Sequence, residues 1–142
     1  MKAFITGGTG FIGRHVVRKL IDRGYDVHAL ARSEQSAAEL TDLGAQPVFG
    51  NILDRESMRE GMQGSDVVFH LAGWYKLGSR DWMRAESTNV AGTRHVLNLA
   101  YDLGIPKIIY TSTVAVFGDT KGQLVDETFF QGGPFATEYD RT

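Results

Sequence analysis

Met1-Lys2-Ala3-Phe4-Ile5-Thr6-Gly7-Gly8-Thr9-Gly10-Phe11-Ile12-Gly13 opens the chain, and this stretch decides the fold. Residues 2–6 show an alternating, partly β-branched pattern that predicts a short buried strand. Three glycines follow, and an apolar helical pattern begins at Val16. A strand, a glycine turn and a helix in this order are typical of a phosphate-binding geometry, because the helix N-terminus presents unpaired N–H groups to an anion. We therefore predict a bound dinucleotide at this turn.

Each glycine has its own predicted role. Gly7 lets the chain turn sharply, Gly10 lets the backbone approach a pyrophosphate, and Gly13 lets the helix pack closely on the strand. The spacing Gly-x-x-Gly-x-x-Gly differs by one residue from the usual Gly-x-Gly-x-x-Gly fingerprint. A glycine-rich turn without a ligand is the alternative interpretation of the triplet taken alone.

Composition predicts one globular domain spanning residues 1–142, with 42% hydrophobic and 23% charged residues. The chain has no cysteine, which excludes disulfides, thiol nucleophiles and thiolate metal sites. A net charge of −2 favours neither nucleic acid nor an anionic membrane as a partner. No apolar run approaches the roughly 20 residues that span a bilayer, so we expect a cytoplasmic protein.

Strand and helix patterns alternate along the rest of the chain. Strands are predicted at 27–31, 47–49, 66–71 and 107–112, and helices at 13–23, 37–43, 54–62 and 82–102. Right-handed βαβ connections then give an α/β fold, a doubly wound parallel sheet with strand order 3-2-1-4-5. The ligand crevice is expected at the carboxyl ends of strands 1 and 4. A long polar loop is predicted from about 118 to 134.

Several stretches resemble the extended short-chain dehydrogenase/reductase family, which includes nucleotide-sugar epimerases, dehydratases and dihydroflavonol-type reductases. They are residues 6–13, 50–54, 70–73, 87–93, 110–118 and 135–142. The resemblance implies an NAD(P)-binding Rossmann-type domain over 1–142, with later strands and the substrate part beyond it. It also implies a set of cofactor-binding residues: Gly7, Thr9, Gly10, Phe11, Ile12, Gly13, Asn51, Ile52, Leu71, Ala72 and Gly73. The family normally has an acidic residue at the position of Asn51, whose side-chain oxygen can still accept from the adenine amino group.

Arg32 and Ser33 follow the second predicted strand, where an NAD-binding fold places a carboxylate for the ribose 2′-hydroxyl. An arginine there can bind a 2′-phosphate bidentately, and the serine can donate a further hydrogen bond. We therefore predict NADP as the cofactor, with NAD possible. A solvated surface charge is the alternative interpretation of Arg32.

Three residues are predicted by the resemblance to be catalytic. Tyr139 would be the tyrosine of a Tyr-x-x-x-Lys motif whose lysine would directly follow Thr142, Thr113 would bind the reacting oxygen, and Asn89 would hold the site and its water. An ordinary tyrosine pKa of about 10 must fall by about 3 units to reach neutrality, and a neighbouring lysine is a usual source. We expect the chain without that lysine to bind cofactor better than it turns over.

The resemblance thus predicts an NAD(P)-dependent epimerase/dehydratase or reductase. It would transfer a hydride between the nicotinamide and a hydroxyl-bearing carbon of a sugar-nucleotide-like or small alcohol or ketone substrate. A non-catalytic NADP-binding sensor or interaction module is the alternative.

The remaining candidates receive weaker interpretations. His70 is more typical of a structural residue than of a catalytic one, and Trp74, Tyr75 and Trp82 fit a substrate pocket or ordinary packing equally well. The spacing of the other histidines predicts no metal site. The fifth strand would be an open edge, which favours self-association and a homo-oligomer.

Overall fold

The structure is a computed structural model of the chain, and it describes residues 1–76, 81–130 and 137–142. Five parallel strands form one sheet in the order β3-β2-β1-β4-β5, which confirms the predicted fold class and strand order. The strands are β1 (Lys2–Thr6), β2 (Asp26–Ala31), β3 (Gln46–Phe49), β4 (Val67–His70) and β5 (Ile108–Tyr110).

Helices connect the strands and cover both faces of the sheet. The α-helices are α1 (Phe11–Asp22), α2 (Glu34–Asp42), α3 (Arg59–Met62), α4 (Trp82–Ala85), α5 (Thr93–Asp102) and α6 (Glu138–Arg141). A π-helical segment (Glu86–Gly92) joins α4 to α5, and 3₁₀ turns occupy Glu56–Met58 and Val114–Phe117. Residues 118–130 form no helix or strand, and the rest of the predicted polar loop, 131–134, lies outside the described residues.

β1 lies at the centre of the sheet and divides the core into two clusters. Ala3 and Ile5 pack in one cluster with Val17 of α1, whereas Phe4 packs in the other with Val96 of α5. Successive side chains of a strand point to opposite faces, so α1 and α5 cover opposite faces of the sheet. Both helical runs begin after the carboxyl ends of their strands, which brings their N-terminal ends toward the same edge.

α2 begins three residues earlier than its apolar pattern predicts, because two serines cap it. The Ser33 hydroxyl accepts a hydrogen bond from the Ser36 N–H at 3.2 Å, and the Ser36 hydroxyl accepts from the Ser33 N–H at 3.0 Å. This reciprocal capping box satisfies two backbone donors at the start of the helix. The helix therefore starts at Glu34, and Arg32 and Ser33 connect it to the end of β2.

The predicted helix from 82 to 102 is a continuous helical run with a π-helical segment inside it. Two glycines allow helices to pack closely on their neighbours. A Cβ added to Gly92 would lie 2.7 Å from Ile52 Cδ1, and one added to Gly61 would lie 2.6 Å from Val48. Close packing at Gly92 sets the depth at which this run crosses the sheet. β5 is shorter than predicted and leaves Ile109 and Tyr110 40% and 50% exposed.

Candidate cofactor-binding site

A cavity of about 590 Å³ opens at the carboxyl ends of β1 to β4. Its wall contains most of the residues predicted to bind a cofactor: Gly7, Thr9, Gly10, Arg32, Ser33, Asn51, Ile52, Leu71, Ala72 and Gly73. It also contains residues that the sequence analysis did not single out: Leu30, Ser36, Leu53, Arg84, Ser87 and Thr88. The structure thus brings the ends of four strands and one later helix around a single space.

The glycine turn fits tightly between β1, α1 and the segment after β4. Gly7 has a φ of 75°, and a Cβ added there would lie 2.7 Å from the Ala72 backbone nitrogen. A Cβ added to Gly13 would lie 2.0 Å from the Gly7 carbonyl oxygen, so α1 rests directly on the turn. Gly10 donates its N–H to the same oxygen at 3.0 Å. Backbone contact therefore requires glycine at Gly7 and Gly13, in agreement with the close packing that the pattern predicts for Gly13, whereas a Cβ added to Gly10 would lie 3.2 Å from the Gly7 carbonyl oxygen.

Phe11, Ile12 and Gly13 lie in the first turn of α1 and are absent from the cavity wall. Phe11 is 85% exposed and packs edge-on against His15, with the ring centroids 5.5 Å apart. These three residues do not line the cavity, and their predicted part in cofactor binding stays a prediction. The apolar pattern placed this start at Gly13 because the exposed Phe11 and Ile12 do not follow the buried face.

The N-terminus of α1 suits an anion. Gly10 is the N-cap, no side chain among the described residues caps the helix, and the first turn contains no acidic residue. The first backbone N–H groups of a helix have no intrahelical partner, and the helix dipole adds a partial positive charge. Gly10 is exposed and lines the cavity, so a phosphate can reach these donors without meeting a side chain. The turn therefore fits the phosphates of a dinucleotide.

The wall after β2 carries a cation and two hydroxyls. Arg32 is exposed, and within the described part of the chain its guanidinium forms no hydrogen bond or ion pair. Its backbone N–H donates to the Ser36 hydroxyl at 3.1 Å. Ser33 lines the cavity as predicted, but its hydroxyl is also the cap of α2. Ser36, which was not predicted, belongs to the same wall.

An apolar surface completes the side nearest β3. Leu30 and Ile52 are buried at 8% and 5% exposure, and Leu53 is 44% exposed. The Asn51 side-chain oxygen accepts from the Leu53 N–H at 3.0 Å, which leaves its second lone pair and the amide NH₂ for other partners. The predicted contact of Asn51 with the adenine amino group stays a prediction.

His70 is fully buried at the end of β4 and is held on both sides of its ring. Its Nδ1 lies 2.6 Å from the Thr6 hydroxyl oxygen, and its Nε2 lies 2.9 Å from that of Thr93. The Ala72 N–H also donates to the Thr6 hydroxyl at 3.3 Å, and the two threonine hydroxyls can satisfy both ring nitrogens in either neutral tautomer. Burial lowers the pKa of His70 to about 4, so the ring is neutral at pH 7. These contacts favour the structural interpretation.

Asn89 is buried in the π-helical segment and fastens three parts of the chain together. Its side-chain oxygen accepts from the Trp74 N–H at 2.7 Å, and its NH₂ donates to the Trp74 carbonyl at 3.0 Å. The same NH₂ lies 3.1 Å from the Thr142 hydroxyl. The predicted catalytic Asn89 therefore positions the segment after β4 relative to the end of the chain.

Tyr139 lies in α6 and is half-buried, with its ring edge-on to that of Tyr75 at a centroid distance of 4.7 Å. An ion pair at 3.5 Å between Arg141 and Glu86 joins α6 to the π-helical segment. Tyr139 and Asn89 thus lie in one neighbourhood. Thr113 begins the 3₁₀ turn after β5, where its hydroxyl accepts from the Ala115 N–H at 3.3 Å, and no described contact joins it to the other two.

Within 1–76, 81–130 and 137–142, no group of three His, Cys, Asp or Glu side chains could hold a metal ion. In the same ranges, no helix combines the length and the apolarity that crossing a membrane requires.

Comparison with known families decides the classification. The chain matches the sequence model of the NAD dependent epimerase/dehydratase family over residues 3–142. The chain belongs to this family. The predicted family is therefore confirmed, and its match extends over both the cavity wall and α6.

Relatives of this epimerase/dehydratase chain include named reductases. It is 42% identical over 129 residues to the 4-hydroxy-2-methyl-3-oxo-4-farnesyl-3,4-dihydroquinoline-1-oxide ketoreductase of Stigmatella aurantiaca, covering 90% of this chain and 38% of that protein. It is 39% identical over 127 residues to a putative dihydroflavonol 4-reductase of Synechocystis sp., covering 89% of this chain and 37% of that protein. The chain thus spans well under half the length of these relatives.

Solved structures of the family superpose on nearly the whole chain. A UDP-glucose-4-epimerase of Stenotrophomonas maltophila, with bound NAD and formylated UDP-arabinopyranose, gives a TM-score of 0.85 at 26% identity over 99% of this chain and 45% of that one. The UDP-glucose 4-epimerase of Thermus thermophilus, in complex with NAD, gives 0.84 at 26% identity over 99% and 47%. These structural neighbours bind NAD.

The burial of His70 predicts that this member of the epimerase/dehydratase family loses stability in mild acid. Its pKa, about 4 in the folded chain against an ordinary 6.5, means that only the unfolded chain binds this proton between those values. The stability that the neutral His70 contributes is therefore fully present above pH 6.5, and it declines as the pH falls toward 4. Urea unfolding should show a loss of about 2 kcal/mol between pH 7.5 and pH 5.

The variants His70→Gln and His15→Gln separate this effect from other titrations. His15 is exposed, so its replacement is a matched control for the loss of an imidazole and should change the unfolding free energy at pH 7.5 by less than about 0.5 kcal/mol. His70→Gln should lower stability at pH 7.5 and remove most of the decline toward pH 5. A decline that persists unchanged in His70→Gln would assign it to other groups.

Proposed function

We propose that residues 1–142 form a dinucleotide-binding domain that binds NADP(H) in the cavity at the carboxyl ends of β1 to β4. One observation carries the proposal: the cavity joins the N-terminus of α1 to the cation Arg32, and its described lining contains no carboxylate. A ligand that carries phosphate groups at two separated positions suits such a wall. The binding of NAD by structural neighbours supports the same class of ligand.

The residues present fit the parts of the dinucleotide. The first-turn N–H groups of α1 would hold the pyrophosphate, and the Leu30, Ile52 and Leu53 surface would take the adenine. Asn51 would hydrogen-bond to the edge of that base through its NH₂ or the remaining lone pair of its oxygen. Gly73 lines the cavity beside Asn89, 3.7 Å separating the Asn89 side-chain oxygen from a Cβ added to Gly73.

For catalysis we propose a reaction in which hydride moves between a nicotinamide and a carbon that bears a hydroxyl or carbonyl oxygen. The bound cofactor supplies the hydride. Tyr139 would give or take the proton on that oxygen, and the Thr113 hydroxyl would hold the oxygen by a hydrogen bond. Asn89 would keep Trp74 and α6 in register so that the Tyr139 hydroxyl faces the reacting atom.

Reduction of a ketone, rather than epimerisation of a sugar nucleotide, is the version of this chemistry that we propose. The relatives at 42% and 39% identity are named as a ketoreductase and a putative dihydroflavonol 4-reductase, whereas the solved epimerases share 26%. The exposed aromatic side chains of Tyr75 and Trp82, 60% and 53% accessible, lie on the side of α4 and α6 and suit an apolar substrate.

Replacing Arg32 with aspartate tests the cofactor preference. The change removes a cation and introduces a repulsive carboxylate beside the expected 2′-phosphate, so the affinity for NADP⁺ should fall by about 1.5–3 kcal/mol more than that for NAD⁺. Isothermal titration of the 142-residue chain with each dinucleotide measures both constants.

Arg23→Asp is the matched control, since Arg23 is an exposed cation at the opposite end of α1. It should leave both affinities within about twofold of the parent chain because it lies away from the cavity wall. Equal losses of the two cofactors in Arg32→Asp would exclude recognition of a 2′-phosphate by this arginine. A parent chain that binds neither dinucleotide would overturn the proposed domain function itself.

A further inference from the structure

Arg84 is a second cation in the cavity wall, and neither the fingerprint nor the resemblance predicts a role for it. It belongs to α4 and lines the cavity together with Ser87 and Thr88 of the π-helical segment. The described lining residues include two arginines and no aspartate or glutamate. The cavity therefore has a formal charge of +2 from its described side chains, in addition to the helix N-terminus.

Arg84 approaches the cavity from the side opposite to α1. α1 packs on the face of β1 that carries Ala3 and Ile5, whereas the helical run from α4 to α5 packs on the face that carries Phe4. Both begin near the carboxyl edge of the sheet. The α1 N–H groups and Arg84 thus line one cavity from opposite helix layers of the sheet.

The guanidinium of Arg84 is not taken up by a carboxylate of the described chain. Within the described ranges it forms no hydrogen bond or ion pair, although the Arg84 backbone N–H donates to the Asp81 carboxylate at 3.1 Å. Glu86, two residues on, is paired with Arg141 at 3.5 Å. The helix start is therefore fixed by its cap while the charged end of Arg84 remains available to a ligand.

We propose that Arg84 binds the pyrophosphate of the dinucleotide and closes the anion site that the glycine turn opens. This inference rests on the proposed cofactor binding and extends it to a residue on the opposite helix layer. A guanidinium can engage two phosphate oxygens in parallel, and the low solvent content of a filled cavity strengthens such a contact. Because NAD and NADP share the pyrophosphate, the contribution of Arg84 is the same for both cofactors.

Titration of the 142-residue chain with NAD⁺, NADP⁺ and adenosine 2′-monophosphate tests this assignment. Arg84→Gln should weaken NAD⁺ and NADP⁺ by the same factor, about 10- to 100-fold, and should leave adenosine 2′-monophosphate, which has no 5′-phosphate, within about threefold. Arg84→Lys should recover part of the loss, since it keeps the charge but not the bidentate geometry. Arg94→Gln, an exposed arginine on α5 outside the wall, is the matched control and should bind all three ligands like the parent chain.

The outcomes separate the possible assignments. A loss confined to NADP⁺ and adenosine 2′-monophosphate would overturn the proposal and place Arg84 at the 2′-phosphate. Unchanged binding of all three ligands in a folded Arg84→Gln chain would overturn it in favour of a solvated arginine. A parent chain that binds none of the ligands would refute the proposed function and this inference together, whereas failure of Arg84 alone leaves the Arg32 result standing.

Discussion

Turnover is expected to fall by about 10²- to 10⁴-fold when Tyr139 is replaced by phenylalanine, which is the usual contribution of a positioned acid or base. The measurement uses a chain that carries the lysine predicted directly after Thr142. The variant keeps its ring and its edge-on contact with Tyr75 at 4.7 Å, so folding and NADP⁺ affinity should be nearly unchanged. The hydroxyl is the only group removed.

Tyr101→Phe provides the control for loss of a phenolic hydroxyl elsewhere. Tyr101 is 84% exposed on α5, and its replacement should leave turnover within about twofold of the parent enzyme. If Tyr139→Phe turns over substrate at close to the parent rate, the tyrosine is only an aromatic contact for α6. The predicted proton-transfer role would then be wrong, while the cofactor assignment would stand on its own titrations.

Gly13→Ala is expected to be the most damaging single-methyl change in the described chain. The added Cβ would lie 2.0 Å from the Gly7 carbonyl oxygen and 2.9 Å from Gly8 Cα, and both neighbours are backbone atoms that no rotamer change can move. Overpacking typically costs about 1–3 kcal/mol, and this contact belongs at or above the upper end. The melting temperature should fall by roughly 10 °C, and NADP⁺ affinity should fall with it because the start of α1 is displaced.

Gly73→Ala adds the same methyl group at a position that can accept it. Its Cβ would lie 3.7 Å from the Asn89 side-chain oxygen, an ordinary contact distance, so the unfolding free energy should change by less than about 0.5 kcal/mol. Thermal and urea unfolding of the two variants, measured side by side, give the comparison. Equal stabilities would show that α1 can shift away from the turn at little cost.

The sheet could be predicted from sequence because its connections are short and local. Alternating strand and helix patterns, with right-handed crossovers, leave few strand orders, and the observed order is the predicted one. The glycine turn could also be predicted from the sequence, because backbone contacts require glycine at Gly7 and Gly13. The start of α2 carried a usable signal in the Ser33 to Ser36 spacing, which the apolar periodicity concealed.

The far wall of the cavity could not be predicted, because it depends on the depth and rotation of a helix packed on the sheet. Whether Arg84 faces the cavity is decided by contacts such as Gly92 against Ile52, which join parts of the chain 40 residues apart. A period of 3.6 also does not reveal the π-helical segment that turns Asn89 toward Trp74. These features are set by tertiary packing rather than by local pattern.

The central position of β1 also sets an order of events during synthesis. β1 precedes the other four strands in the chain, yet one of its two partners is β4. The paired residues Thr6 of β1 and His70 of β4 are 64 residues apart. At about 5–20 residues per second, a ribosome needs roughly 3 to 13 s to supply that partner. During that interval one edge of the apolar strand Ala3 to Ile5 is open, and contacts of such long sequence separation form slowly. The edge of β1 that pairs with β4 therefore has unpaired backbone groups until β4 has emerged.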